Sequence, residues 1–338
     1  MKKVYYTLTS AVVASLILTA VPVPAVYGAS TKNTHPAQAA TGASSLKEVD
    51  AKIVQKAQEY LKAVTGKSYT FSGAKKWSLG NENGWDFSIK GVEHGQVMVT
   101  KTGELERIYV DQSWGELKDS YKQQLQAALK SVLQEPEASK TPKEVNISVD
   151  KSPEYPKGAV ELYTRIDNNT IILREGKVLR TIKLLAKQEI DENALKAASG
   201  VFAGLEGVKQ GALNEPIQLI TENGKTVYNL MFGTGAHPVF VNVEKGTNKV
   251  TKVAAYELQD SAANYKETYK KMKSYSEAQL LQNAARQSKE LLKVDLTGYK
   301  AKLDPKLTAV VHFTKSGFPS LVGSFNSKGQ FYELEFKE

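Results

Sequence analysis

The four histidines are the first residues to test for metal binding or acid–base chemistry. They are His35, His94, His237 and His312, and no two of them have metal-ligand spacing or form an H-E-x-x-H motif. His312 alternates with Val310, which is typical of a residue on one face of a strand. His237 precedes a proline in the glycine-rich segment GTGAHP, which favours a loop. Because the chain also has no cysteine, the sequence predicts no metal site and no cofactor.

Motifs of covalent catalysis give one false lead. Residues 101–103 spell K-T-G, and residues 44–47 and 72–75 both spell S-x-x-K, as in penicillin-recognising enzymes. The S-D-N element of those enzymes is missing, and such triplets arise freely in a chain with 45 lysines and arginines. Glu104 and Glu106 flank Leu105 and share one strand face, where solvation is the simpler interpretation. No catalytic residue is predicted, although a hydrolase with dispersed carboxylates stays open.

The three tryptophans are the remaining residues that suggest recognition. Trp85 is in phase with Phe87 and Ile89, which favours packing under a helix. Trp77 and Trp114 are open to either interpretation, core packing or exposure, and an exposed tryptophan can stack on a sugar or anchor a partner peptide. We therefore take Trp77 and Trp114 as the candidate binding residues.

The N-terminal segment is typical of a secretory signal peptide. Lys2 and Lys3 precede a mostly apolar run, and small residues follow it near residue 28. Pro22 and Pro24 break the run before it reaches a bilayer span, which favours cleavage over anchoring. The sequence predicts a signal peptide at 1–28, cleaved somewhere within 28–40, no transmembrane segment after cleavage, and a secreted or cell-wall-associated protein.

The charge of the chain bears on its partners. The formal net charge is +9, and loss of the two N-terminal lysines leaves about +7. Only five basic residues are arginines, whereas nucleic-acid sites that read bases or clamp phosphates usually rely on arginine. We expect a protein partner or an anionic cell-wall polymer, and no specific nucleic acid.

Beyond a small-residue linker, the chain repeats one pattern of a helix followed by strands. Apolar stripes at helical spacing run through residues 46–64, 117–132, 195–205 and 280–292, and Gly66 is placed to end the first helix. Each unit closes with a predicted β-hairpin, and the four turns contain Gly103, Gly176, Gly246 and Gly329.

These repeats predict an α+β protein of four tandem modules, each with one helix packed on a small antiparallel sheet. A module this small is marginal alone, so we expect modules to pair edge to edge or face to face. The predicted boundaries are signal peptide 1–28, linker 29–45, repeat 1 at 46–113, repeat 2 at 114–188, repeat 3 at 189–258, a helical insertion at 259–275 and repeat 4 at 276–338.

The closing hairpins VMVTKTGELERIYV and VFVNVEKGTNKVTKVAAY resemble the final hairpin of PepSY domains. The tandem organisation is similar to that of the related YcdB/YcdC repeats of exported Gram-positive proteins. Where PepSY hairpins often have an aspartate ahead of the turn glycine, this chain has Lys101, Arg174, Lys245 and Ser327. The resemblance implies an extracellular or wall-associated module, in some cases a protease inhibitor or pro-region. We therefore expect a non-catalytic binding protein, with a protease inhibitor or folding-assistant module as the alternative.

Overall fold

The computed structural model describes residues 46–79, 82–151, 155, 158–235, 237–260, 265–305, 307 and 309–337. The predicted signal peptide at 1–28 and the linker at 29–45 lie outside the described residues. These residues contain five α-helices, and none of the five is long and apolar enough to cross a membrane. The helices are α1 (Ala51–Thr65), α2 (Asp119–Val132), α3 (Glu192–Gly200), α4 (Tyr265–Met272) and α5 (Glu277–Leu291).

The strands pair antiparallel, and the local sequence explains where α1 begins and ends. Asp50 caps α1, accepting a hydrogen bond from the Lys52 backbone N–H at 2.8 Å, and Gly66 ends it with φ 79°, as predicted. The strands are β1 (Phe71–Leu79), β2 (Glu82–Ile89), β3 (Gln96–Thr100), β4 (Leu105–Ser113), β5 (Glu144–Asp150), β6 (Ala159–Ile166), β7 (Asn169–Arg174), β8 (Lys177–Leu185), β9 (Ile217–Glu222), β10 (Lys225–Phe232), β11 (Val239–Glu244), β12 (Val250–Ala255), β13 (Lys300–Leu303), β14 (Val310–Thr314), β15 (Ser320–Phe325) and β16 (Phe331–Lys337).

The prediction of four modules, each with its own small sheet, is wrong. The described strands form one 16-stranded antiparallel sheet in the order β1 to β12, then β16, β15, β14 and β13. Separate small sheets would leave rows of unpaired backbone N–H and C=O groups at every module edge. The structure removes these edges by pairing β4 with β5 and β12 with β16.

The helices also share cores, which a set of independent modules would not do. The chain divides into two compact units, with the boundary between Ile182 and Lys183. We call the described residues up to 182 unit 1 and those from 183 unit 2. In unit 1, Leu61 of α1 and Leu125 of α2 are both fully buried in one apolar cluster. In unit 2, Ala198 of α3 and Ala284 of α5 share a second cluster.

The two units join their hairpins differently. In unit 1, β4 is followed in the sheet by the next strand of the chain, β5. In unit 2, the neighbours are the last strands of two hairpins, β12 and β16, with Val253 opposite Leu334. The chain must therefore travel from β12 to the far edge strand β13 before it returns, and the segment that contains α4 and α5 makes this longer connection.

Candidate functional site

The sheet of unit 1 has two chemically different faces. Both helices pack on the face formed by residues such as Val97, Ile108 and Ile147, which are fully buried. Strand residues alternate between faces, so the neighbours of these residues point the other way. We call this second surface the polar face of unit 1. Its central members, from β3 to β7, are mostly half-buried polar, aromatic and charged side chains, with Met98 and Ile172 as apolar members.

Two tyrosines lie on the polar face with small polar residues between them. Tyr109 of β4 is opposite Ser148 of β5, and Tyr163 of β6 is opposite Asn146 of the same strand. Because one strand separates them, the two tyrosines stand on backbones about 10 Å apart. Asn146 donates a hydrogen bond from Nδ2 to Asp111 Oδ1 at 2.9 Å. We call the strip of the polar face between Tyr109 and Tyr163 the trough.

Ion pairs flank the trough. Arg107 of β4 pairs with Asp150 of β5, and Arg174 of β7 pairs with Glu161 of β6 at 2.6 Å. The side chains of these four residues are 30 to 52% exposed. Such pairs contribute only about 0–1 kcal/mol to stability, but they neutralise each other locally. The paired charges cancel, while Asp111, which accepts from the neutral Asn146, leaves the trough with a negative charge beside its aromatic groups.

Burial perturbs two titratable groups on this face. It raises the pKa of Asp86 on β2, and this effect outweighs the lowering by Lys75 and Arg107. Burial also raises the pKa of the Tyr109 hydroxyl, and the negative charges of Asp111 and Glu144 add to the effect. At neutral pH the Tyr109 hydroxyl is therefore protonated and can donate a hydrogen bond.

The corresponding face of unit 2 is more deeply buried at its centre. Lys252 of β12 is 5% exposed, and its amine lies 2.7 Å from Glu333 Oε1 and 3.4 Å from Glu335 Oε2, both on β16. Burial lowers the pKa of Lys252, but the two carboxylates outweigh it and the net pKa is raised. The lysine is therefore charged, and the cluster is an internal ion network.

Two tyrosines complete this buried cluster. Tyr332 is the extra residue of the bulge in β16, and its ring lies 6.4 Å from that of Tyr256. Burial raises the pKa of Tyr256 to about 12, and burial also raises the pKa of Tyr332. The Tyr256 hydroxyl is buried without a hydrogen-bond partner among the described residues. The cluster is closed, so we assign it to stability and the open trough of unit 1 to binding.

The predicted binding tryptophans lie elsewhere. Trp77 of β1 is 6% exposed, and its indole N–H donates to the Val99 carbonyl at 3.1 Å. Trp114 begins a 3-10 turn after β4, and its half-buried ring packs against the core of unit 1. Trp85 also packs against this core, and Lys76 lies over its ring at 5.2 Å. The structure brings neither candidate tryptophan into the trough, so the binding role of Trp77 and Trp114 stays a prediction.

The residues that suggested chemistry remain scattered. His94 and His237 are exposed, while His312 Nε2 pairs with Asp304 Oδ2 at 2.8 Å on an accessible part of β14. The K-T-G triplet lies in the turn between β3 and β4, where Lys56 donates to the Thr102 carbonyl. Across the described residues, no three histidine or carboxylate side chains meet in a group that could hold a metal ion.

The comparisons with known proteins give no family: no family model, curated protein or solved structure matches this chain. The resemblance to PepSY domains therefore stays a prediction. The trough itself could have been suspected from sequence, because Tyr109 and Tyr163 both alternate with apolar core residues in predicted strands. That signal marks each residue as facing away from the helices, but it does not show that β4 and β6 flank the same strand.

Proposed function

We propose that this chain is an exported, non-catalytic binding protein of the cell envelope or extracellular space. Its binding surface is the trough between Tyr109 and Tyr163. The observation that supports this proposal is a sheet face, opposite to the helices of unit 1, with two half-buried aromatic rings and hydrogen-bonding groups between flanking ion pairs. Tyrosine offers a large, rigid contact area with one polar group, and it is enriched in binding hot spots.

Two kinds of attraction contribute to binding in this proposal. The excess of lysines attracts anionic wall polymer diffusely, and this attraction weakens as the Debye length falls from about 10 Å at 0.1 M salt to about 3 Å at 1 M. The trough acts by stacking and hydrogen bonds at short range, which salt disturbs little. We therefore expect binding to isolated Gram-positive cell walls to fall steeply between about 0.1 and 1 M NaCl, with a smaller salt-resistant part.

The experiment compares Tyr109→Ala/Tyr163→Ala with the parent chain. The double variant should lose the salt-resistant part and keep the salt-sensitive part. Phe318→Ala is the control, because Phe318 is an aromatic residue of unit 2 that is 55% exposed. Walls treated with a protease distinguish a protein partner from a polymer. Salt-resistant binding that survives in the double variant would contradict the proposal, as would binding that salt leaves undiminished.

Export has its own test. N-terminal sequencing of the protein from culture supernatant or wall fraction should return a start between Ala29 and Ala40. A protein that still begins at Met1 would contradict export by a cleaved signal peptide.

A further inference from the structure

Unit 2 contains a groove that is independent of the trough. The groove has a volume of about 610 Å³, which is within the usual range of about 300–1,000 Å³ for small-molecule sites. Its floor is apolar: Ala197 and Val250 are partly exposed there, and the almost fully buried Val201 and Leu292 also line it. Three lysines stand around it: Lys196 of α3, Lys249 before β12, and Lys293 after α5. The tertiary fold thus brings three lysine residues from distant parts of the chain to one groove.

These lysines differ from the charged residues of the polar face because no carboxylate of the described chain lies within 4.0 Å of their amines. Lys249 Nζ lies 3.8 Å from the centre of the Phe336 ring, and Lys293 Nζ donates to the Glu290 carbonyl at 2.9 Å. An ammonium group has three N–H donors, so one contact leaves the others for a ligand. All three lysines are exposed.

One carboxylate lines the groove, and it is already engaged. Glu290 Oε1 lies 3.3 Å from Arg286 Nε, one helical turn earlier on α5. At the end of α5, the Leu292 and Val294 N–H groups both donate to Ser288 O. Asn248 Oδ1, an acceptor of another lining residue, is buried without a hydrogen-bond partner among the described residues. Three lysines against one carboxylate make the net charge of the lining positive.

We propose that this groove binds the phosphate head of a single-chain amphiphile, with the lysines around the phosphate and the first part of the apolar chain on the floor. A phosphate offers three outward oxygens to amines that come from three directions, and lysine is a common phosphate ligand. An anion with an apolar chain should bind better than a purely polar anion, because a purely polar ligand would leave the apolar floor without a partner. This site is independent of the proposed trough, so either can fail alone.

The test uses n-octyl phosphate below its micellar concentration, with methyl-labelled protein followed by NMR. The methyl signals of Val201, Val250 and Leu292 should shift in a saturable way, while methyl signals of unit 1 stay in place. Two further probes separate the contribution of the phosphate head from that of the alkyl chain. Glycerol 3-phosphate has the head without the chain, and n-octyl phosphocholine has the same chain with a zwitterionic head. Both should bind at least about tenfold more weakly.

The variant Lys196→Gln/Lys249→Gln/Lys293→Gln should weaken binding of octyl phosphate at least about tenfold. A matched control removes the same charge from exposed lysines of α1 and α2, as Lys52→Gln/Lys62→Gln/Lys130→Gln, and should bind like the parent. Their unliganded spectra show whether both variants are folded. Equal loss in the control, equal binding of octyl phosphocholine, or shifts spread over both units would each overturn the proposal.

Discussion

Lys252 and Glu333 occupy the same position in two different hairpins and pair with each other at 2.7 Å. Each follows the extra residue of a β-bulge, Thr251 in β12 and Tyr332 in β16. A bulge places two consecutive residues against one residue of the partner strand and redirects the side chains that follow. Because β12 and β16 are neighbours in antiparallel order, the two bulges bring opposite charges together on the face away from the helices.

The first prediction is that Lys252→Met lowers the free energy of unfolding by about 3 kcal/mol. The substitution leaves Glu333 and Glu335 close together and Glu333 buried without its cation, which costs more than loss of an exposed pair. Urea unfolding followed by circular dichroism measures the change. Lys252→Met/Glu333→Leu should recover most of the loss, because both charges of the pair are then removed. A double variant as unstable as the single variant would contradict this account.

The second prediction concerns two tyrosine hydroxyls of unit 2. Tyr256→Phe should leave stability unchanged or raise it by about 1 kcal/mol, because its buried hydroxyl has no hydrogen-bond partner among the described residues. Tyr299→Phe is the matched control and should lower stability by about 1 kcal/mol, since the Tyr299 hydroxyl donates to the Pro319 carbonyl at 3.0 Å. Thermal and urea unfolding give both values. The reverse order of the two variants would refute the assignment.

The third prediction is a loss of stability at high pH. Burial raises the pKa of Tyr256 to about 12, so between pH 10 and 12 the folded chain keeps a proton that the unfolded chain has lost. Lys252 acts in the same direction, because its pKa is higher in the folded chain than in the unfolded chain. The stability that its charge contributes is complete below the pKa of the unfolded chain, and it is lost as the pH rises through the pKa of the folded chain. Tyr256 lowers the free energy of unfolding by about 1.4 kcal/mol per pH unit in this window, and Lys252 adds to the loss in the same direction.

Urea unfolding at several pH values from 9 to 12 measures this slope, and absorbance of tyrosinate identifies late-titrating tyrosines. Tyr256→Phe should reduce the slope. An unchanged slope in that variant would mean that Tyr256 does not contribute.

The fourth prediction compares two glycines of the first hairpin. A Cβ on Gly84 would lie 1.9 Å from the Val99 carbonyl oxygen, so Gly84→Ala should destabilise unit 1 by about 3 kcal/mol. A Cβ on Gly73 would meet no atom within 4 Å, so Gly73→Ala should change stability by less than about 0.5 kcal/mol. Gly84→Ala should also change the fluorescence of Trp77, which lies opposite Gly84 in the ladder. Similar effects of the two substitutions would contradict the close approach of Gly84 to the Val99 carbonyl.

The local elements of the fold follow from short stretches of the amino-acid sequence. Apolar residues at helical spacing predict α1, and its end at Gly66 is confirmed by the left-handed φ of 79°. The four hairpin turns are confirmed as well, since Gly103, Gly176, Gly246 and Gly329 all have φ between 74° and 90°. The end of α1 and the four turns depend on backbone preferences and on the periodicity of neighbouring residues, so they can be predicted from a single sequence.

The strand order and the contacts between distant side chains depend instead on long-range packing. Ladder hydrogen bonds join backbone groups that every residue has, so the pairing of β4 with β5 and of β12 with β16 has no signature in residue type. Trp77 shows the same limit on a smaller scale. In a regular strand Trp77 would face the same side as Phe71, because six residues separate them. The irregularity between Phe71 and Gly73 turns Trp77 to the opposite face. The three lysines of the groove lie on distant segments, and packing of α3, β12 and α5 brings them together.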